Sequence, residues 1–310
     1  MLFFKKIQYN TFLLSIFLFF TANSLVVFGN PAPDTTPSDG NTTGQRKPLI
    51  VTTIKPLAII AKSAVGENAH VETLQNTAQS AHDVTLTVSS LKRVEQAALI
   101  IWVGGGFEGR LGKSLELQPV DKQLLLTEME FLPAGPPGRE KHHQDDHHGE
   151  IDLGFDPHIW LNPINANILA NSIQQHLGLP LSPVMSARLY EQLKLQLAPY
   201  KSRSFLTHHD AYGHFIEAFG LSDGLSIRDP SGASQGARSQ YLLRRQVKEA
   251  GISCIFIEPQ YADSDARVFA SELELPMVVL DPQGIEQQLT TDSYSQFITK
   301  MAGQFKACFN

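Results

Sequence analysis

Cysteine is nearly absent from this chain: Cys254 and Cys308 are the two in 310 residues. That excludes a disulfide-dense scaffold and a cysteine-based zinc module, since neither residue sits at metal-ligand spacing. Basic runs longer than short pairs are missing too. With 25 Lys and Arg against 31 Asp and Glu, the formal net charge is -6, which argues against nucleic acid as a partner. Beyond the first 29 residues, no apolar run approaches the about 20 residues a membrane helix needs. An HExxH signature is also missing, and Glu258 is the one obvious general-base candidate, so a secreted zinc hydrolase is a poor reading.

The first 29 residues stand apart. Lys5-Lys6 give a positive start, Thr11 to Ala22 an apolar stretch, and Val27-Phe28-Gly29 a small residue at a cleavage position. This is the build of a secretory signal peptide, with an uncleaved anchor as the alternative because the apolar run extends through Phe28. Residues 30–48 are rich in Pro, Ser, Thr, Asn and Gly and read as a flexible linker. In an exported chain the even cysteine pair predicts one disulfide, Cys254–Cys308, tying a strand of the last third to the C-terminal helix; two buried thiols are the alternative.

The body alternates strand and helix. Leu49–Ile54, Val71–Leu74, Leu99–Val103 and Lys122–Leu126 read as strands, with helices over Leu57–Val65 and from an N-cap at Ser89-Ser90 to Ala97. Helices follow over Asn165–Leu177 and Pro183–Leu197, the second with Met185, Leu189, Leu193 and Leu197 on one side. The alternation then restarts with strands at Ser204–Thr207, Ile252–Ile257 and Met277–Leu280, helices at Ala211–Phe219 and Ser293–Phe309, and further helices filling the gaps. Such spacing means βαβ units. The expected fold class is α/β: two lobes, each a mostly parallel sheet flanked by helices, joined by a helical linker, with a metal site in the cleft between them. The divisions are 49–160 (including a mobile loop at 139–152), 161–200 and 201–310.

Chemistry concentrates in Lys141 to Pro163, where His142, His143, His147, His148 and His158, five of 11 histidines, fall within 17 residues among Asp145, Asp146, Glu150, Asp152 and Asp156. Imidazole ligates zinc, copper and nickel readily. The front half has no apolar residue between Lys141 and Gly149 and cannot order itself by burial, so its four histidines form an accessory metal loop or else a solvated polar tract. His158 is different, lying between an Asp-Pro turn and Ile159-Trp160-Leu161. In open α/β sheets ligands bind beyond the strands' carboxyl ends. The candidates there are His82, His158, His209, Glu258 and Asp281. Three imidazoles plus a carboxylate or water would make a tetrahedral zinc site.

Seven stretches together carry a resemblance. They are Ile54-Lys55-Pro56, His82-Asp83, Leu99 to Gly104, Asp156 to Pro163 (DPHIWLNP), His209 to Gly213 (HDAYG), Glu258-Pro259-Gln260 and Leu280-Asp281-Pro282. The chain resembles the cluster A-I metal-binding solute-binding proteins of bacterial ABC importers, most closely their ZnuA-type zinc receptors, from residue 49 to the C-terminus. The resemblance implies metal ligands at His82, His158 and His209 and a fourth family position at Asp281. It further implies Zn²⁺ as cargo delivered to a membrane permease, a Gram-negative periplasmic location, a monomer, no enzymatic activity and the Cys254–Cys308 disulfide. A manganese or iron receptor of the same family is the alternative, although a third His, where manganese types carry Glu, favours zinc. His208 competes with His209 for that position, and HDAYG selects His209. Three departures stand out: Ala81 where some zinc types carry Glu, a shorter helical segment after His158, and a brief His-rich insertion.

Overall fold

The structure, a computed structural model, describes residues 47–75, 87–133, 156–261 and 264–310. The apolar run after Pro48 forms β1 (Leu49–Thr52), whose last three residues are buried. Apolar on both faces, it takes a central place. It pairs in parallel with β2 (His70–Thr73) and β3 (Leu99–Trp102), and β3 pairs with β4 (Gln123–Leu125), giving the order β2-β1-β3-β4. Parallel neighbours need a crossover between them. α1 (Lys55–Val65) supplies the first, with Pro56 in its opening turn and Gly66 past its end at φ 54. α2 (Val88–Gln96) supplies the second. Its cap is Thr87, whose hydroxyl accepts from the Ser90 N–H at 3.1 Å, and not the Ser89-Ser90 pair expected. Thr87, Ser89 and Ser90 all offer a hydroxyl, and only the entry angle of the chain chooses. α3 (Gly105–Glu108) and α4 (Arg110–Leu115) follow β3.

α5 (Pro163–His176) and α6 (Ala187–Leu197) separate the two sheets in sequence. Asn162 caps α5 through Ile164 N–H at 2.9 Å. Ser186 caps α6 through Leu189 N–H, so that helix starts later than the expected Pro183 and leaves Met185 buried ahead of it. The second sheet comprises β5 (Leu206–His209), β6 (Leu225–Arg228), β7 (Ile255–Ile257) and β8 (Met277–Val279), all parallel, in the order β6-β5-β7-β8. It repeats the order of the first. Two expectations need correcting. β5 starts at Leu206 and contains both histidines, which were expected past its end. β6 was not anticipated at all, because Ile227 is its one fully buried residue and no apolar run marks it. α7 (Gly213–Phe219), α8 (Ala237–Glu249), α9 (Ser264–Leu273) and α10 (Ser293–Ala307) complete the second lobe.

The described residues pack as one unit, and one apolar core runs through both sheets, from Ile50 and Trp102 by way of Trp160 to Phe256 and Phe305. A smaller cluster of Leu206, Ile227 and Phe269 lies under the second sheet. Polar bonds stitch the seam: Trp160 Nε1–H donates to Pro282 O at 2.8 Å and the Tyr294 hydroxyl to Trp160 O at 2.9 Å. Cys254, just before β7, is disulfide-bonded to Cys308 at the end of α10, Cα to Cα 5.8 Å. Among the described residues no helix is long and apolar enough to cross a membrane.

Candidate metal centre

Two of the expected histidines meet at the seam. His158 precedes a single helical turn, Ile159–Leu161, and is 2 % exposed. His209 is the last residue of β5 and 3 % exposed. Their ring centroids lie 5.0 Å apart at 69°. Short local bonds fix the first ring. Asp156 Oδ1 accepts from the His158 backbone N–H at 3.0 Å and sits 2.7 Å from His158 Nδ1. Burial alone would raise the Asp156 carboxyl, but the His158 ring and amide outweigh it and hold the group well below the usual carboxylate range. The Asp156 carbonyl in turn accepts from His214 Nε2 at 3.0 Å, anchoring the segment to α7. Trp160 packs edge-on against the His158 ring at 5.2 Å.

The second ring is held from two sides. His209 Nδ1 lies 3.2 Å from Glu258 Oε1, and its Nε2 3.0 Å from the Pro230 carbonyl. Burial pulls the His209 pKa down, yet the Glu258 carboxylate beside it prevails and the net shift is upward. His208 goes elsewhere, as alternation along a strand requires. Its Nε2 sits 2.7 Å from Asp265 Oδ1 at the start of α9, and Asp265 Oδ2 accepts from Arg228 Nε at 2.8 Å. His209 is therefore the histidine that faces His158.

Asp281 lies just past β8, 4 % exposed. Its Oδ1 accepts from Gln283 and Gly284 N–H, both at 3.0 Å, and its Oδ2 from Ile285 N–H at 2.9 Å. The carboxylate caps its own turn. Burial raises its pKa in spite of those amides. His82 and the accessory histidines His142, His143, His147 and His148 lie outside the described residues. Among the described residues no three of His, Cys, Asp and Glu converge as an ion-holding group. The donor set in view is a pair of imidazoles, each with a carboxylate at Nδ1. A carboxylate at Nδ1 makes the opposite ring nitrogen the one that can ligate a divalent cation, and on His209 that nitrogen lies against the Pro230 carbonyl.

The family model described as "Zinc-uptake complex component A periplasmic", ZnuA, matches residues 50–179 and 186–308. The chain belongs to the ZnuA family. The high-affinity zinc uptake system protein ZnuA of Yersinia pestis is 30 % identical over 296 residues, which is 84 % of this chain and 90 % of that protein. Among solved structures, a zinc-bound deletion mutant of ZnuA superposes with a TM-score of 0.65 at 20 % identity, over 84 % of this chain and 97 % of its own. The periplasmic zinc-binding protein TroA of Treponema pallidum gives 0.63 at 19 % identity, over 84 % and 99 %. At such identities these structures establish the shared two-lobed fold.

Within this ZnuA-family chain, the sequence reading named the rings but not what holds them. The Asp two residues before His158 was a legible signal, since an Asp so placed can reach both the ring and the amide of the His. Glu258 stood out as a titratable group past a strand, as a general-base candidate and as part of Glu258-Pro259-Gln260, but not as the partner of His209. Pro230 and His214 carried no signal, because their partners lie 21 and 58 residues away in sequence.

Proposed function

We propose that this chain is a periplasmic zinc receptor that binds Zn²⁺ and hands it to the permease of an ABC importer. The observation that carries the reading is the approach of His158 and His209 to 5.0 Å at a buried seam, each backed by a carboxylate. In this reading His158 and His209 hold the ion with His82 as third ligand, and Asp281 or a water completes the shell. Three imidazoles suit zinc better than manganese, which prefers carboxylate oxygens. No bond in the cargo is made or broken, so no general acid or base is needed. The protein orients neutral rings, releases any proton they carry, and excludes bulk water. Residues 1–29 act as the export signal, 30–48 as a tether, and the lobes are bounded at 49–160 and 201–310 about the segment 161–200. The mature chain works as a monomer. His142, His143, His147 and His148 form an accessory loop that takes up further zinc more weakly.

One titration tests the reading. Calorimetry of the metal-free protein with Zn²⁺ should give one tight site plus weaker equivalents. His158→Ala should lose most of the tight affinity, whereas deletion of 141–148 should leave it intact and remove the weaker equivalents. Unchanged tight binding in His158→Ala would sink the site. Mn²⁺ displacing Zn²⁺ at comparable concentration would turn the reading to a manganese receptor, and unaltered stoichiometry after the deletion would return the loop to a solvated tract.

A further inference from the structure

The Glu258 carboxylate is fully buried, with a side-chain exposure of 0 %. Among the described residues no lysine or arginine pairs with it. Its polar neighbours are His209 Nδ1 at 3.2 Å and Gln260 Nε2, which donates to Oε2. Beside it stands Tyr212, whose own hydroxyl donates to Leu280 O at 2.8 Å. Burying a carboxylate without a permanent counter-ion is expensive, and a neutral glutamine would orient the ring at far lower cost. The charge is balanced by positive charge on the His209 ring itself or by a cation bound beyond it, and among the described residues the ring is the one route by which the carboxylate reaches either.

We infer that Glu258 is a positioning residue for the metal-binding histidine His209. It holds Nδ1–H toward the protein, which leaves Nε2, now 3.0 Å from the Pro230 carbonyl, as the nitrogen that exchanges that contact for the ion, and it supplies through the ring a negative charge that strengthens this nitrogen as a ligand for a doubly charged cation. The inference rests on the ligand reading of His209 given above. It makes the two halves of the site equivalent in design: Asp156 behind His158 from the segment before the helical turn, Glu258 behind His209 from the end of β7. Partners of this kind in other metal sites change affinity by about 10–100-fold. The same strand contains a built-in control, His208 with Asp265 at 2.7 Å, a carboxylate–histidine pair on the opposite face of β5 from His209.

The experiment titrates zinc, in competition with a chelating indicator, into the full mature protein and its Glu258→Gln, Glu258→Ala, Asp265→Asn and His209→Ala variants. Each variant is also loaded with Co²⁺ for visible absorption. Expected is a loss of about 10–100-fold in zinc affinity for both Glu258 variants at unchanged stoichiometry, larger for Ala than for Gln. The Co²⁺ bands should shift in Glu258→Gln, with wild-type affinity and bands in Asp265→Asn. Glu258→Gln folds with the same side-chain shape, so the assay does not depend on the alanine variant. Wild-type affinity and bands in Glu258→Gln, or an equal loss in Asp265→Asn, would overturn the role of Glu258. If His209→Ala itself binds zinc like the wild type, the ligand reading fails. If His209→Ala loses zinc and Glu258→Gln does not, the positioning role alone fails.

Discussion

Glu108, at the end of α3, is 3 % exposed, and its carboxylate accepts from Val103 N–H and Thr53 Oγ1 at 2.8 Å each and from Gly104 N–H at 2.7 Å. Burial is the largest influence on it and, despite those donors, pushes its pKa from 4.5 up to about 7. A carboxyl with a raised folded pKa binds its proton more tightly in the native state. Its contribution to stability is therefore complete below pH 4.5 and is lost as pH rises to about 7. At 1.36 kcal/mol per unit the loss is about 3 kcal/mol. Glu108→Gln removes this titration, so urea midpoints at pH 5 and pH 8 should diverge: the wild type weakens across that interval by about 2.5 kcal/mol relative to the variant, the rest of the loss falling below pH 5. Parallel pH profiles of the two proteins would refute the assignment. Nothing in the sequence flagged Glu108, because one of its partners is 55 residues distant and the others are backbone amides. His158 and His209 were legible because each is embedded in a recognisable local motif, DPHIWLNP or HDAYG; Asp156 within the first positions His158, whereas the partners of His209, Glu258 and Pro230, lie far along the chain.

At the scale of elements, legibility followed burial. β1 and β3 are apolar on both faces and stand out as runs, and the helices α1 and α10 are marked by Pro56 and by an apolar stripe. β6 escaped because its neighbour β5, and not its own composition, makes it a strand. The turn after β8 is a further case in which tertiary placement decides. Gly284 has φ +60, and a Cβ there would come 2.7 Å from Ile59 Cδ1 on α1 and 2.9 Å from Phe297 on α10. Pro282 and Gly284 favour a turn, but nothing local in Asp-Pro-Gln-Gly says that it is wedged between two helices and capped by Asp281. Gly284→Ala should cost about 2–4 kcal/mol, combining left-handed backbone strain with overpacking. Gly251, at φ +61 with nothing within 4 Å, is the matched control, and its Ala variant should lose about 1–2 kcal/mol from the backbone alone. Equal losses at the two sites in urea unfolding would mean that the seam yields to a methyl group.

Across the whole molecule, the disulfide and the candidate metal centre occupy opposite ends of the same parallel sheet. Cys254 enters β7 and Glu258 leaves it, while His209 leaves β5 on the same side as Glu258. Cys308 fixes the last turn of α10, whose first turn is held to the other lobe by Tyr294, its N–H donating to Ser63 Oγ at 3.0 Å and its hydroxyl to Trp160 O. α10 is thus tied at both ends, covalently in one lobe and by hydrogen bonds in the other. The bridge closes a sequence separation of 54 residues, for which the chain-entropy model gives about 4 kcal/mol of stabilisation. Phe305 stays packed without it, stacking on Phe256 at 5.3 Å and edge-on to Phe205 at 5.3 Å, so the fold has an apolar reason to persist. The double variant Cys254→Ser/Cys308→Ser should therefore unfold at lower urea by about 4 kcal/mol while keeping zinc affinity within about twofold, because His158, His209 and their carboxylates sit at the far edge of the sheet and the bond from the last turn of α10 to the site, Asp281 N–H to Gln304 Oε1, is a long one at 3.4 Å. Reduced wild type should behave as the variant does. A zinc affinity that falls together with stability would instead show that the end of α10 and the cleft share one cooperative unit, with the disulfide setting the geometry of the site from the opposite end of the lobe.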